Sequence, residues 1–229
     1  LKTTSIFDIC IIGGGATGLG IALDAASRGL KTILLEKYDF AKGTSSRSTK
    51  LIHGGVRYLE QGNIKLVMDA LRERGILKNN APHLVKSQAF IIPTYNWWQK
   101  FYYRLGLKIY DLLSGSLSFG NTQILSKKET KLLLPTLDNK NLKGGVLYFD
   151  GQFDDSRLAI HLAMTAAEHG ACMLNYFSVE SLNKDNGKTC GVVAIDTFTN
   201  EKFTIKSKVV INATGVFSDS ITKMDNNKK

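Results

Sequence analysis

Residues 6–18, Ile6-Phe-Asp-Ile-Cys-Ile-Ile-Gly-Gly-Gly-Ala-Thr-Gly18, decide the fold. Residues 6–12 form a short apolar run rich in β-branched side chains, the composition of a buried strand. Three glycines break it. A helical pattern follows through Leu19, Ala22, Leu23 and Ala26, and Gly29 stops it as a residue suited to a helix C-terminus. A second apolar run, Thr32–Leu35, is closed by Glu36. Strand, helix and strand within about thirty residues make a βαβ unit, which belongs to a parallel sheet.

The glycines fit G-x-G-x-x-G, with Gly13, Gly15 and Gly18 in the fixed places and Thr17 inside the turn. The first glycine permits a tight turn and the second lets backbone approach a pyrophosphate. The third lets helix and strand pack closely, while the helix N-terminus offers N–H groups and partial positive charge. An acid is expected about twenty residues on, where its carboxylate can accept both ribose hydroxyls. Glu36 occupies that place, followed by Lys37. NAD and FAD both use such a turn, so the turn alone leaves the dinucleotide open.

Composition bounds the rest. Hydrophobic residues make up 43% and charged ones 22%, which excludes global disorder. Thirty basic against twenty acidic residues leave a formal charge of +10, suiting a phosphorylated substrate, a dinucleotide or an anionic membrane surface. Nucleic acid is not expected, because the chain has no zinc spacing, RNP-like aromatic motif or basic recognition helix. Cys10, Cys172 and Cys190 form no C-x-x-C pair and read as free thiols in a reducing compartment. No His/Cys/Asp/Glu cluster has metal-ligand spacing, so no metal is expected. There is no signal-like start and no apolar run of the roughly 18–20 residues a span needs. A cytoplasmic protein, or one bound peripherally to the cytoplasmic face of a membrane, is expected.

Further along, helices are predicted over 63–79 and 96–113, and a strand over 143–149. Asp155, with Asp154 beside it, reads as the cap of a helix ended by Gly170. Strand patterns recur at 172–182, 189–197 and 202–212. The Gly/Ser/Thr-rich stretch 43–58 has no clear period and reads as an ordered loop, or a loop running into a short strand.

That stretch carries the decisive resemblance. Thr44-Ser-Ser-x-Ser-x-Lys-Leu-Ile-His-Gly-Gly-x-Arg-Tyr-Leu59 resembles the FAD-dependent glycerol-3-phosphate dehydrogenases and related oxidases, within the DAO-like FAD-dependent oxidoreductases. Gly106–Asp111, Tyr148–Leu158 and Asn212-Ala-Thr-Gly215 are similar to the same family. The resemblance implies an α/β fold: a Rossmann-like FAD-binding domain with glutathione-reductase-like ββα layers and part of an inserted β-rich substrate domain. The dinucleotide-binding part is expected over 1–80 and 143–220, with an insertion over 81–142. It implies FAD, with the diphosphate on Gly13–Gly18 and the ribose on Glu36. Thr44, Ser45, Ser46, Lys50, Leu51 and His53 would lie along the flavin side, with Val179 by adenine and Ala213, Thr214 and Gly215 returning to the dinucleotide. It also implies oxidation of sn-glycerol 3-phosphate to dihydroxyacetone phosphate with quinone as acceptor, oxygen being the alternative. Another flavin-dependent amine or 2-hydroxy-acid oxidase is a more distant one. The chain is expected to be a C-terminally truncated portion, inactive alone, and a homodimer is left open.

Histidine suits the base that takes the hydroxyl proton, because its ordinary titration lies nearest neutral pH. His53 is the candidate, and a loop histidine without proton transfer is the alternative. His83, His161 and His169 are read as structural. Arg57 matches a phosphate-binding position, against a surface salt bridge; Tyr58 matches a neighbouring donor, against a core filler. Residues 95–113 interleave aromatics with Lys100, Arg104 and Lys108, as in a helix lying in a membrane interface. A core helix with a solvated basic edge is the alternative.

Overall fold

The computed structural model describes residues 6–225; the side chains of Arg57, Glu60 and Ser116 lie outside the described set, as do Leu1–Ser5 and the end of the polar tail. Two compact units divide the chain, Leu1–Ser48 with Asp155–Lys229, and Thr49–Asp154. Sequence patterning set 1–80 and 143–220 apart from 81–142. The units divide elsewhere because the short strand at 51–52 pairs with residues 151–152 and the helix at 64–80 shares a core with Tyr110.

The first unit opens with β1 (Phe7–Ile12), α1 (Ala16–Ser27) and β2 (Thr32–Leu35). The chain then forms the second unit: β3 (Leu51–Ile52), α2 (Val56–Glu60), α3 (Ile64–Asn80), β4 (Val85–Thr94), α4 (Trp97–Ser114), β5 (Gln123–Leu125), α5 (Lys127–Leu133) and β6 (Gly144–Phe153). It returns with α6 (Asp155–Glu168), β7 (Cys172–Leu174), β8 (Phe177–Asp185), β9 (Lys188–Asp196), β10 (Lys202–Asn212) and α7 (Ser218–Asp225).

The first unit is a six-stranded sheet in the order β7-β2-β1-β10-β9-β8. β7, β2, β1 and the second half of β10 run parallel, while β8, β9 and the first half of β10 form an antiparallel meander. β1 is apolar apart from Asp8 because both of its faces are covered, the usual state of a parallel strand. Alternate residues serve opposite cores. Ile11 and Leu34 join Leu19, Ala22 and Ala26 of α1 and Ala159, Ala163 and Ala166 of α6. Cys10, Ile12, Ile33 and Leu35 join Val192 and Ala194 of β9 and Ile205 of β10. The alanine-lined contact lets α1 and α6 sit close over the sheet. This is the Rossmann-like layering expected.

α1 ends at Ser27, and Gly29, at φ +79°, turns the chain toward β2. The expected strand at 172–182 is two elements, because Tyr176 at φ +59° breaks it and sends β7 to the parallel sheet and β8 to the meander. In the second unit β4 pairs with β6 along its whole length, β3 and β5 border the other edge of β6, and Val67, Leu71 and Tyr110 form the core. β4 has no counterpart in the sequence reading. Its alternation is irregular and it carries Pro93, which an edge strand tolerates.

Candidate functional site

The glycine turn joins β1 to α1, and each glycine is required by something specific. Gly13 has φ +111°, and a Cβ there would lie 2.5 Å from the carbonyl oxygen of Ala213. At Gly14 a Cβ would lie 2.8 Å from Glu36 Cβ, and at Gly18 it would lie 2.0 Å from the Gly13 carbonyl oxygen. The turn is therefore walled by β2's end on one side and β10's end on the other. The Gly13 N–H donates to Leu35 and the Ala213 N–H to Ile12, which ties these walls to β1.

Glu36 sits where the acid was expected. Its two carboxylate oxygens accept from Gly14 N–H (2.6 Å) and Tyr38 N–H (2.9 Å). Each oxygen retains acceptor capacity for a ribose hydroxyl. The next residue, Lys37, has its Nζ 5.5 Å from the Tyr38 ring centroid. The Glu36 carbonyl accepts from Phe177 N–H, so β8, and Val179 on it, leaves from the Glu36 corner. Val179 also borders the meander core, beside a β-bulge.

α1 starts at Gly15 with no acid in its first turn and no capping side chain of its own. The Ala16 N–H instead donates to Ser45 Oγ at 2.8 Å, bringing the Thr44–Ser46 turn over the helix end. That hydroxyl and the free helix N-terminus suit a diphosphate, since both present donors to anionic oxygens. Beyond β10, Asn212 Oδ1 accepts from the N–H and hydroxyl of Thr214, shaping the Ala213–Gly215 turn, where Gly215 has φ +59°. Cys10, just before the turn, is fully buried, and burial pushes its thiol up to about 12. It carries no thiolate chemistry at neutral pH.

Sequence reading treated Asp155 as a cap for its own helix. Its Oδ1 does accept the N–H of Ser156, but Oδ2 accepts both the N–H and the hydroxyl of Ser48, fixing the end of the serine-rich loop to α6. The two partners lie far apart in sequence, so no local pattern signals the contact.

The remaining site residues belong to the second unit. Lys50 has φ +58°, and its carbonyl accepts from Phe153 N–H; Leu51 is half-buried and opens β3. His53 follows β3 and is exposed. Gly55, at φ +73°, starts α2, an element the loop reading did not contain. Tyr58 lies under Gly55 and is 43% exposed, so it does not fill the core. Arg57 lies on α2, its side chain outside the described residues.

Behind this loop is a buried polar cluster that sequence reading missed. Arg74 Nη1 donates to Asp150 Oδ1 at 2.5 Å, and Tyr110 Oη donates to Asp150 Oδ2 at 3.0 Å. Tyr110 Oη in turn accepts from Gly54 N–H at 2.8 Å. All three side chains are almost fully buried, and burial, then the Asp150 charge, pushes the Tyr110 phenol far above its ordinary range. Both Tyr110 and Asp150 lie in stretches quoted above for their family likeness, which was the only signal available.

A parallel sheet feeding a glycine turn, with an acid at the second strand's end and an antiparallel meander alongside, defines a dinucleotide-binding domain of the flavoprotein kind. The profile of the family described as FAD dependent oxidoreductase matches residues 8–229, and the chain belongs to that family. FAD is its cofactor, and the turn, Glu36 and Ser45 fit it. The chain is 50% identical to the mitochondrial glycerol-3-phosphate dehydrogenase of Saccharomyces cerevisiae, over 99% of this chain and 36% of that one. It is 48% identical to the human protein of the same name, over 98% of this chain and 33% of that one. A crystal structure of the glycerol-3-phosphate dehydrogenase from Bacillus halodurans complexed with FAD superposes with a TM-score of 0.75 at 38% identity, over 97% of this chain and 37% of that one. The chain spans about a third of the length of the curated relatives it matches.

Proposed function

We propose that the full-length protein is an FAD-dependent dehydrogenase that oxidises sn-glycerol 3-phosphate to dihydroxyacetone phosphate and passes the electrons to quinone. The observation that carries this reading is the Gly13–Gly18 turn walled by Glu36, Ser45 and Ala213, in a chain whose relatives bear that enzyme's name. Oxidation of the secondary alcohol releases two electrons and two protons, and FAD, when bound, supplies the two-electron acceptor.

The chain's own residues have the remaining tasks. The α1 N-terminus and Ser45 hold the diphosphate, and Glu36 receives the ribose hydroxyls. Thr44, Ser46, Lys50 and Leu51 line the flavin side, Val179 meets adenine through its backbone, and Ala213, Thr214 and Gly215 close the turn. His53 takes the proton from the substrate hydroxyl at an imidazole nitrogen. Arg57 holds the substrate phosphate through paired N–H donors, and Tyr58 adds a phenol donor.

Attachment to a membrane, on its cytoplasmic face, accompanies the quinone reading. α4 buries Leu107, Tyr110 and Ser114 on one side and exposes Trp98, Phe101, Leu105 and Leu112 on the rest, with Arg104 and Lys108 among them. An aromatic and basic surface of this kind suits an anionic lipid interface. No described helix is long and apolar enough to cross a membrane.

Purified full-length protein should show flavin absorbance and reduce a quinone analogue with sn-glycerol 3-phosphate, while forming little peroxide. Absence of flavin, or of reduction with this substrate, would sink the proposal. Substrate-dependent peroxide at the rate of turnover would replace quinone by oxygen. The same protein should sediment with liposomes containing anionic lipid; folded protein left in the supernatant would refute attachment.

A further inference from the structure

We infer that Tyr110 is a positioning residue for the reaction, acting by holding the Gly54 amide and so fixing the His53–Gly55 segment that carries the proposed base. This rests on the function proposed above. All the groups concerned lie in the second unit.

Gly54 is buried between exposed His53 and the left-handed Gly55. A side chain at 54 is excluded from behind: a Cβ would lie 2.3 Å from Leu71 Cδ2 and 2.4 Å from Tyr110 Oη. The loop thus rests directly on the phenol, and its buried N–H needs an acceptor there. Tyr110 Oη accepts that N–H at 2.8 Å and can do so in one orientation only, because its own proton is committed to Asp150 Oδ2. Asp150 is fixed in turn by Arg74 Nη1, whose Nη2 donates to Ser114 Oγ at 3.2 Å and whose guanidinium lies 4.7 Å from the Phe119 ring centroid.

Each member of this relay has a single arrangement that satisfies its neighbour. A buried chain linked in this way is stiff, because rotating Tyr110 or Asp150 leaves a buried polar group without its partner, although Arg74 Nε itself has none among the described residues. Its hydrogen bond to the loop falls on the Gly54 amide. A simple stability device would not need that contact, since Arg74, Asp150 and Ser114 already bridge α3, β6 and α4. The hydroxyl of Tyr110 extends the bridge to the backbone beside His53, and α2, with Arg57 and Tyr58, begins two residues later.

The test is Tyr110→Phe in the full-length holoenzyme, with Ser114→Ala as the reference. Ser114→Ala weakens the same cluster but leaves the Gly54 bond intact. Tyr110→Phe is expected to keep its flavin content and lower kcat with sn-glycerol 3-phosphate by about 10- to 100-fold, the range that small misplacements cost. KM should change much less, and Ser114→Ala should keep nearly wild-type kcat at a comparable melting temperature. Unchanged kcat in Tyr110→Phe overturns the inference, as does an equal loss of kcat in both variants. If Tyr110→Phe does not fold, hydrogen exchange in the wild-type holoenzyme decides: the Gly54 amide should exchange slowly, and exchange at the rate of a free loop amide overturns the inference. A wild-type enzyme inactive on glycerol 3-phosphate would instead fail the proposed function, leaving the exchange result to judge the clamp.

Discussion

Replacing Gly18 with alanine puts a methyl carbon 2.0 Å from the Gly13 carbonyl oxygen and 3.3 Å from Ala213 Cβ. The nearer obstacle is backbone, so no side chain can swing aside. Ordinary contact begins near 3.4 Å, which leaves a shortfall of about 1.4 Å for α1 and the turn to make up by separating. Overpacking on this scale costs about 1–3 kcal/mol of stability. The effect on cofactor binding should be larger. A shift beyond about 1 Å takes phosphate-facing N–H groups out of hydrogen-bond range. Losing two bonds to a charged acceptor, at about 1.5 kcal/mol each or more, weakens binding at least about 100-fold. Gly20, two residues further along α1, is the internal control, because a Cβ there meets nothing within 4 Å. Gly20→Ala should stabilise the protein by roughly 0.5–1 kcal/mol and leave binding alone. The assay is flavin titration of apo-protein prepared from the full-length chain, with thermal melting alongside. A Gly18→Ala protein that binds FAD within about threefold of wild type would refute the reasoning, because the phosphate site would then not depend on this close approach.

Arg74→Met should destabilise the protein by about 3–5 kcal/mol, since Asp150 would stay buried without its cation; denaturant midpoints measure this, and Asp150→Leu in the same chain should recover part of it. Cys10 should be the slowest of the three cysteines to react with iodoacetamide at pH 8, as judged by peptide mass spectrometry, because its folded-state thiol is protonated there. The raised thiol has a further consequence with a definite sign: its contribution to stability is complete below the ordinary thiol value of 9.0 and declines as pH rises toward about 12, visible as a falling melting temperature. Trp98→Ser with Phe101→Ser should abolish sedimentation with anionic liposomes while leaving the melting temperature within about 2 °C, because both side chains are exposed.

The parts legible in the sequence were those written in local period. The strand–helix–strand opening, Gly29, and helices α3 and α4 each depend on neighbours within a few residues, and they sit where the patterning put them. The turn's companions were partly legible: Glu36 through its fixed distance, Ser45 only through resemblance. Asp155 shows the limit. An acid at a helix start reads as a cap, yet half of its carboxylate serves Ser48. Tyr110 shows it more clearly. On its helix it is one apolar-facing aromatic among several, and only the fold brings it under Gly54 and beside Asp150. Polar contacts between distant segments leave no period to detect.

β10 gives its first half to the meander and its second half to β1, so one strand answers to two partners. Its register along β9 sets how far it reaches beside β1, and hence where Ala213 stands against Gly13. A slip of one residue would invert the faces of the whole strand and withdraw that wall. The order of synthesis gives this a temporal meaning. The turn at residue 13 is made before its far wall, which arrives only after the entire second unit has been added. On the ribosome, the cofactor cradle is therefore an unfinished object until β10 emerges.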